Sequence, residues 1–100
     1  MCSIIGYLGR RHDVESIRPY FDRTVSRGPD MTRMLPIPGG FLGFHRLSIM
    51  GLSEKGMQPF VRGDKAIVCN GEIYGFRPVK EALIQKGYTF ESESDCEILL

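Results

Sequence analysis

Met1-Cys2-Ser3-Ile4-Ile5-Gly6-Tyr7-Leu8 opens the chain as an apolar run with no polar tail in front of it. Ser3 to Leu8 is continuous rather than alternating, which suits a strand covered on both faces. The residue behind Met1 is a cysteine. Once the methionine is removed, Cys2 carries a thiol and a free α-amine, with reference pKa values of roughly 8.5 and 7.7–8. A nucleophile and a general base then share one residue, the pairing that covalent acyl transfer needs. Read without its neighbours, the same residue is a free thiol at a chain terminus. The choice falls to the rest of the sequence.

The 100 residues allow one domain at most. A hydrophobic content of 42% and a charged content of 25% are those of an ordinary globular protein. Basic and acidic side chains number 13 and 12 with no block of like sign, which speaks against nucleic acid or an anionic membrane surface as a partner. No run approaches the ~18 apolar residues of a membrane span. No basic segment precedes the first apolar one, so no signal peptide is read and the cytoplasm is expected. Cys2, Cys69 and Cys96 are odd in number and far apart, which argues against a disulfide framework in a reducing compartment. With His12 or His45 they form no ligand-pair spacing, so no metal site is expected.

Beyond Leu8, Arg10-Arg11-His12-Asp13 reads as a solvated turn. Helical spacing follows at Ile17, Tyr20, Phe21 and Val25. Pro19 belongs in a first turn, so the helix is expected to start near Ser16 or Ile17 with Ser16 as N-cap. Arg27-Gly28-Pro29-Asp30 stops it. Residues 31–37 and 41–44 read as strands around Pro38-Gly39-Gly40. The stretch 47–59 is long for a connection and is expected to be a binding loop. Phe60-Val61 and residues 65–70 flank Gly63-Asp64 as a hairpin. The run Ala66-Ile67-Val68-Cys69 suggests burial on both faces, with Cys69 an inert core thiol. Pro78 opens a second helix with Val79, Ala82 and Leu83 on one face. Gly87 closes it, and Tyr88-Thr89-Phe90 forms a short strand. Ser94 and Glu97 have capping-box spacing ahead of a third helix. That helix stops one turn in and without a C-cap, which reads as a truncated domain.

Five stretches then coincide: Met-Cys-Ser-Ile at the start, Arg27-Gly28-Pro29-Asp30, His45-Arg46-Leu47-Ser48-Ile49, Asn70-Gly71-Glu72-Ile73-Tyr74 and Ser94-Asp95-Cys96-Glu97. In order and spacing, over the whole chain, they resemble the glutaminase domain of glutamine-hydrolysing asparagine synthetases, a class II amidotransferase of the N-terminal nucleophile hydrolase type. The resemblance implies an α+β fold, the four-layer αββα sandwich, of which residues 1–100 are the first part. It implies L-glutamine as substrate and allows a homodimer in the full-length protein. ATP and magnesium would belong to a synthetase domain absent from these residues, leaving this chain without a cofactor. The family usually has Asn where this sequence has Gly75.

By that resemblance Cys2 is the nucleophile and its α-amine the proton shuttle, while Asn70 and Gly71 form an oxyanion hole. Arg46 holds the substrate carboxylate, Asp95 the substrate ammonium, and Leu47, Ile49 and Glu72 line the pocket. Each residue also has a plainer reading. Asn-Gly is a favoured hairpin turn, an isolated Arg is a solvated strand end, and an acidic residue in a first helical turn complements the helix dipole. His45 reads as structural. Three functional readings stay open. The first is the glutaminase part of an asparagine synthetase, enzymatic once completed and expected to be inactive as these 100 residues alone; the second is a non-catalytic remnant or glutamine-binding module; the third is a class II amidotransferase with another acceptor.

Overall fold

The computed structural model describes residues 2–48 and 53–100. The predicted opening strand is β1 (Ser3–Leu8), the hairpin after the helix is β2 (Met31–Ile37) and β3 (Gly40–Arg46), and the second hairpin is β4 (Phe60–Arg62) and β5 (Lys65–Ile67). The helices are α1 (Val14–Phe21) and α2 (Phe76–Gln85), with 3-10 turns at Asp22–Arg27, Glu54–Gly56 and Asp95–Leu99. The result is a small α+β fold with two sheets.

In the larger sheet β3 is central and antiparallel to both neighbours, in the order β1-β3-β2. Its register sets Ser3 against His45 and His45 against Thr32. Side chains at paired positions share a face. Ser3, Ile5, His45, Thr32 and Met34 therefore point to one side, and Ile4, Phe44 and Arg46 to the other.

The first side is covered by α1 and the turn that follows it. His45 is fully buried and stacks on Phe21, ring centroids 3.8 Å apart. Its Nε2–H donates to the Phe21 carbonyl at 3.1 Å, and its Nδ1 shares a hydrogen bond of 2.7 Å with the Thr32 hydroxyl. The Thr24 hydroxyl donates to the same Phe21 carbonyl at 2.8 Å and receives the Ser3 hydroxyl at 2.6 Å. The structural role read for His45 is thus tied to specific partners. β1 is covered on this side alone: Ile4 is 43% and Leu8 79% exposed, contrary to the expectation of burial on both faces.

Several boundaries differ from the sequence reading. α1 begins at Val14, not near Ser16. Asp13 is the N-cap, its carboxylate accepting the Ser16 N–H at 2.8 Å while Ser16 Oγ accepts the Asp13 N–H at 3.1 Å. This reciprocal box holds the Asp13 carboxyl below its usual pKa. Pro19 accordingly lies inside the helix, close to where it tightens into a 3-10 turn.

α2 starts at Phe76, with Pro78 in its first turn. Its expected apolar face is not covered, Val79 being 47% exposed. Gly75 precedes it at φ +71°, ψ +26°, a left-handed conformation open to Gly and Asn. The Gly therefore keeps the backbone that an Asn there would adopt and loses only its side chain. Residues 88–90 form no strand; the Arg62 guanidinium donates to the Thr89 carbonyl instead. The expected third helix is the 3-10 turn Asp95–Leu99. Ser94 Oγ accepts the Cys96 N–H at 3.3 Å, but Glu97 does not complete a capping box. Its carboxylate is drawn to Glu91 N–H, Ser92 N–H and the Ser92 hydroxyl.

Replacing His45 by Leu should remove one of the two side-chain donors to the Phe21 carbonyl and reshape a fully buried site, while exposed Thr32 can turn to water. We expect a loss of about 1–3 kcal/mol in stability. A lower urea midpoint at unchanged m would show it; an unaltered midpoint would contradict the structural role of His45.

Candidate active site

On the face of the sheet away from α1, a cleft is lined by Cys2, Phe44, Arg46, Leu47, Gly56, Gln58, Cys69, Asn70, Gly71, Glu72, Ser94, Asp95 and Cys96. Seven of the eight candidate residues meet here: Cys2, Arg46, Leu47, Asn70, Gly71, Glu72 and Asp95. The eighth, Ile49, lies outside the described residues, as does Met1.

The pairing of β1 with β3 sets the geometry. One residue before Ser3, Cys2 stands at the end of β3, where the Leu47 N–H donates to its Sγ at 3.3 Å and the thiol donates to the Leu47 carbonyl at 3.6 Å. The loop between the first 3-10 turn and β2 holds this corner together. Arg27 Nε donates to the Cys2 carbonyl at 3.3 Å. Asp30 N–H donates to the Arg46 carbonyl at 2.9 Å, and the Asp30 carboxylate accepts the Ser48 N–H at 2.7 Å. Gly28 lies so close to the His45–Arg46 peptide that any Cβ would collide with backbone. The stretch Arg27–Asp30, read from sequence as a helix stop, therefore also fixes the strand end that carries Arg46. Sequence reasoning missed that second role.

Two opposite charges are buried in the lining. Arg46 is 3% exposed and its Nη1 donates to the Ser53 carbonyl at 2.8 Å. It is a buried group, not a solvated strand end. Asp95 is 5% exposed and its Oδ2 accepts the Ile73 N–H at 2.5 Å. The Asn70 side chain engages no partner among the described residues. Gly71 is not among the glycines of positive φ, so Asn70-Gly71 is not the primed hairpin turn its sequence allowed. A Cβ on Gly71 would meet nothing within 4 Å. The glycine leaves the cleft open beside its backbone.

Cys69 corrects another expectation. β5 ends at Ile67, two residues earlier than its apolar run suggested, and Cys69 is half-exposed in the cleft wall rather than inert in a core. Gln58, 4% exposed, contacts it: Gln58 Nε2 donates to the Cys69 carbonyl at 3.2 Å, and the Cys69 N–H donates to Gln58 Oε1 at 2.6 Å. The sequence marked 47–59 as a binding loop but gave no reason to single out Gln58. Cys96 is buried, and its thiol donates to the Gly71 carbonyl at 3.5 Å. Burial first, then contact with the Cys69 thiol and the Asp95 charge, raise its pKa well above the usual thiol range.

A family model described as glutamine amidotransferase domain matches residues 1–100. A probable asparagine synthetase (glutamine-hydrolyzing) of Acanthamoeba polyphaga mimivirus is 39% identical over 108 residues, covering 100% of this chain and 19% of that protein. Asparagine synthetase (glutamine-hydrolyzing) 1 of Bacillus subtilis is 36% identical over 108 residues, covering 100% of this chain and 17% of that protein. A glutamine–fructose-6-phosphate aminotransferase (isomerizing) of Bartonella henselae is 30% identical over 127 residues, covering 99% of this chain and 21% of that protein. The chain thus spans about a fifth of the length of these relatives.

The raised pKa of Cys96 gives a direct test. A thiol whose pKa is raised stays protonated at pH 8 and supplies little thiolate. In the folded protein iodoacetamide should alkylate Cys96 at least about tenfold more slowly than half-exposed Cys69. Peptide mapping after timed labelling measures this, and equal rates would refute the assignment.

Proposed function

The chain belongs to the glutamine amidotransferase domain family, and from that premise we propose that it hydrolyses L-glutamine to glutamate and ammonia through a thioester on Cys2. The observation that carries the reading is convergence: Cys2 just ahead of β1, the end of β3, the segment after β5 and the last 3-10 turn line one cleft. The thiolate attacks the side-chain amide carbon. The Cys2 α-amine, free once Met1 is removed, takes the thiol proton and passes it to the departing ammonia. Water then attacks the thioester, losing its proton to the same amine, and glutamate leaves. Asn70 Nδ2 and the Gly71 N–H stabilise the oxyanion of both tetrahedral intermediates. Among the described residues the side chain of Asn70 engages no partner, and a Cβ on Gly71 would meet open space, as such a role requires.

Arg46 and Asp95 hold the carboxylate and ammonium of the substrate, with Leu47, Ile49 and Glu72 completing the wall. On this reading residues 1–100 are the first part of a four-layer αββα sandwich. The ammonia serves a synthetase domain that would use ATP and magnesium to activate aspartate. Those groups have no part in the cleft described here. A cytoplasmic enzyme, homodimeric at full length and without nucleic-acid or membrane partners, completes the proposal. The likeness to an aminotransferase of a different name keeps a second acceptor in view, with the same glutaminase chemistry.

Glutamate release from glutamine by the purified protein tests the proposal, with Cys2→Ala as control. Release should depend on glutamine and vanish in the variant. No release, or release that survives Cys2→Ala, would refute the reading. Asn70→Ala should lower kcat by about 10²–10³ while changing glutamine binding far less, because its donor is aimed at charge that exists only in the intermediate. An unchanged kcat would remove Asn70 from the oxyanion hole.

Arg46→Ala should raise KM strongly, and Arg46→Lys should restore only part of the loss, since an ammonium lacks the two-pronged geometry. Amidating the α-carboxylate of glutamine should impair wild type badly and Arg46→Ala little. Equal impairment of both would show that Arg46 does not bind the carboxylate.

A further inference from the structure

β4 and β5 pair through Phe60↔Ile67, Val61↔Ala66 and Arg62↔Lys65. Carried two residues further, the same register sets residue 58 against residue 69. In an antiparallel ladder every second pair exchanges both main-chain bonds, beginning with the pair that closes a two-residue loop. Starting from 62 and 65, the exchanging pairs are 60 with 67 and then 58 with 69. Strand pairing stops before that point. β5 ends at Ile67 and β4 begins only at Phe60.

The missing exchange is made by a side chain. The carboxamide of Gln58 gives an N–H to the Cys69 carbonyl at 3.2 Å and accepts the Cys69 N–H at 2.6 Å. It is the same two-bond pattern a backbone partner would supply, with the reach of the side chain added. Gln58 is buried and lines the cleft, so on its side of the two part-buried bonds the loss of either strands a polar group. The next residues are Asn70 and Gly71.

We propose that Gln58 is a positioning residue for the Asn70–Gly71 donor pair: its amide fixes Cys69 where the chain leaves the β4–β5 ladder, and so aims the following two residues into the cleft. The inference rests on the glutaminase reading above. The site requires one donor and one acceptor on a single planar group. Methionine offers neither. An ionised glutamate offers two acceptors, one of them against the Cys69 carbonyl, and a protonated glutamate restores the donor.

The test compares glutamate release by the purified wild-type protein, Gln58→Met and Gln58→Glu, at temperatures well below each measured Tm. Gln58→Met should lower kcat by about 10–100-fold through misplaced donors, with glutamine KM changed by less than about threefold because Arg46 and Asp95 are untouched. Gln58→Glu should show a similar loss at pH 8 and recover, relative to wild type, as the pH falls and the carboxyl takes up a proton. Loss of fold alone would not follow that profile, and Gln58→Glu at low pH remains testable where Gln58→Met is unstable. A Gln58→Met kcat within about twofold of wild type, a loss confined to KM, or a Gln58→Glu profile parallel to wild type overturns the proposal. A wild type that releases no glutamate overturns the glutaminase reading and this inference together. An active wild type with unimpaired variants overturns this inference alone.

Discussion

When Ser3 pairs with His45 across β1 and β3, Cys2 stands beside Arg46 and Leu47, and its sulfur meets both polar groups of the Leu47 backbone. Slipping that register by one residue would send Cys2 to the helix-covered face and Ser3 to the cleft. The register is held by polar specificity as much as by apolar burial. His45 must reach Thr32 on one neighbouring strand and the Phe21 carbonyl on the helix side. A buried imidazole with both nitrogens engaged accepts few alternative positions. The fold on one face of the sheet thereby fixes the geometry on the other.

How far the sequence disclosed this depends on the range of the interactions involved. The three strands of the main sheet, the second hairpin and both helices were legible because apolar periodicity and Gly/Pro punctuation are local signals. Boundaries failed where two local signals competed. Ser16 looked like an N-cap, yet Asp13 caps the helix and Ser16 answers it from inside the first turn. Ser94 and Glu97 had capping-box spacing, yet three donors at residues 91 and 92 take the Glu97 carboxylate. The candidate residues were found through family-like motifs and not through spacing, since Cys2, Arg46, Asn70 and Asp95 come from four parts of the chain. Gln58 and the second role of Arg27–Asp30 were invisible for the same reason: their partners are backbone groups, and a backbone group has no letter.

The cleft also answers how opposite charges can sit buried in so small a fold. Removing an ion from water is costly unless hydrogen bonds compensate. Arg46 is bonded to the Ser53 carbonyl, and Asp95 to the Ile73 N–H. Each charge therefore has a main-chain partner, and in the proposed reading both line the cleft that takes the ligand. A zwitterion such as an amino acid offers the matching pair of charges on one carbon. Asp95 has a further consequence. By bonding Ile73 it ties the last 3-10 turn to the segment that carries Asn70 and Gly71, so the group assigned to the substrate ammonium also braces the groups assigned to the oxyanion.

Three thiols line one cleft, and their partners separate them. Cys96 is buried and uses its S–H as a donor to the Gly71 carbonyl, with the Asp95 charge beside it. An anion there would lose the bond, face the Gly71 carbonyl dipole and repel the carboxylate, so burial and charge agree in keeping it a thiol. At Cys2 the thiol likewise donates to a carbonyl, that of Leu47, but a backbone donor also sits beside it. The Leu47 N–H already points at the sulfur, a bond that survives when the proton leaves. Cys69 has its backbone, not its sulfur, engaged by Gln58. Of the three sulfurs, the one next to a backbone donor is also the one that can carry a free α-amine. That coincidence, more than the presence of a cysteine at the second position, is the physical ground for proposing Cys2 as the nucleophile.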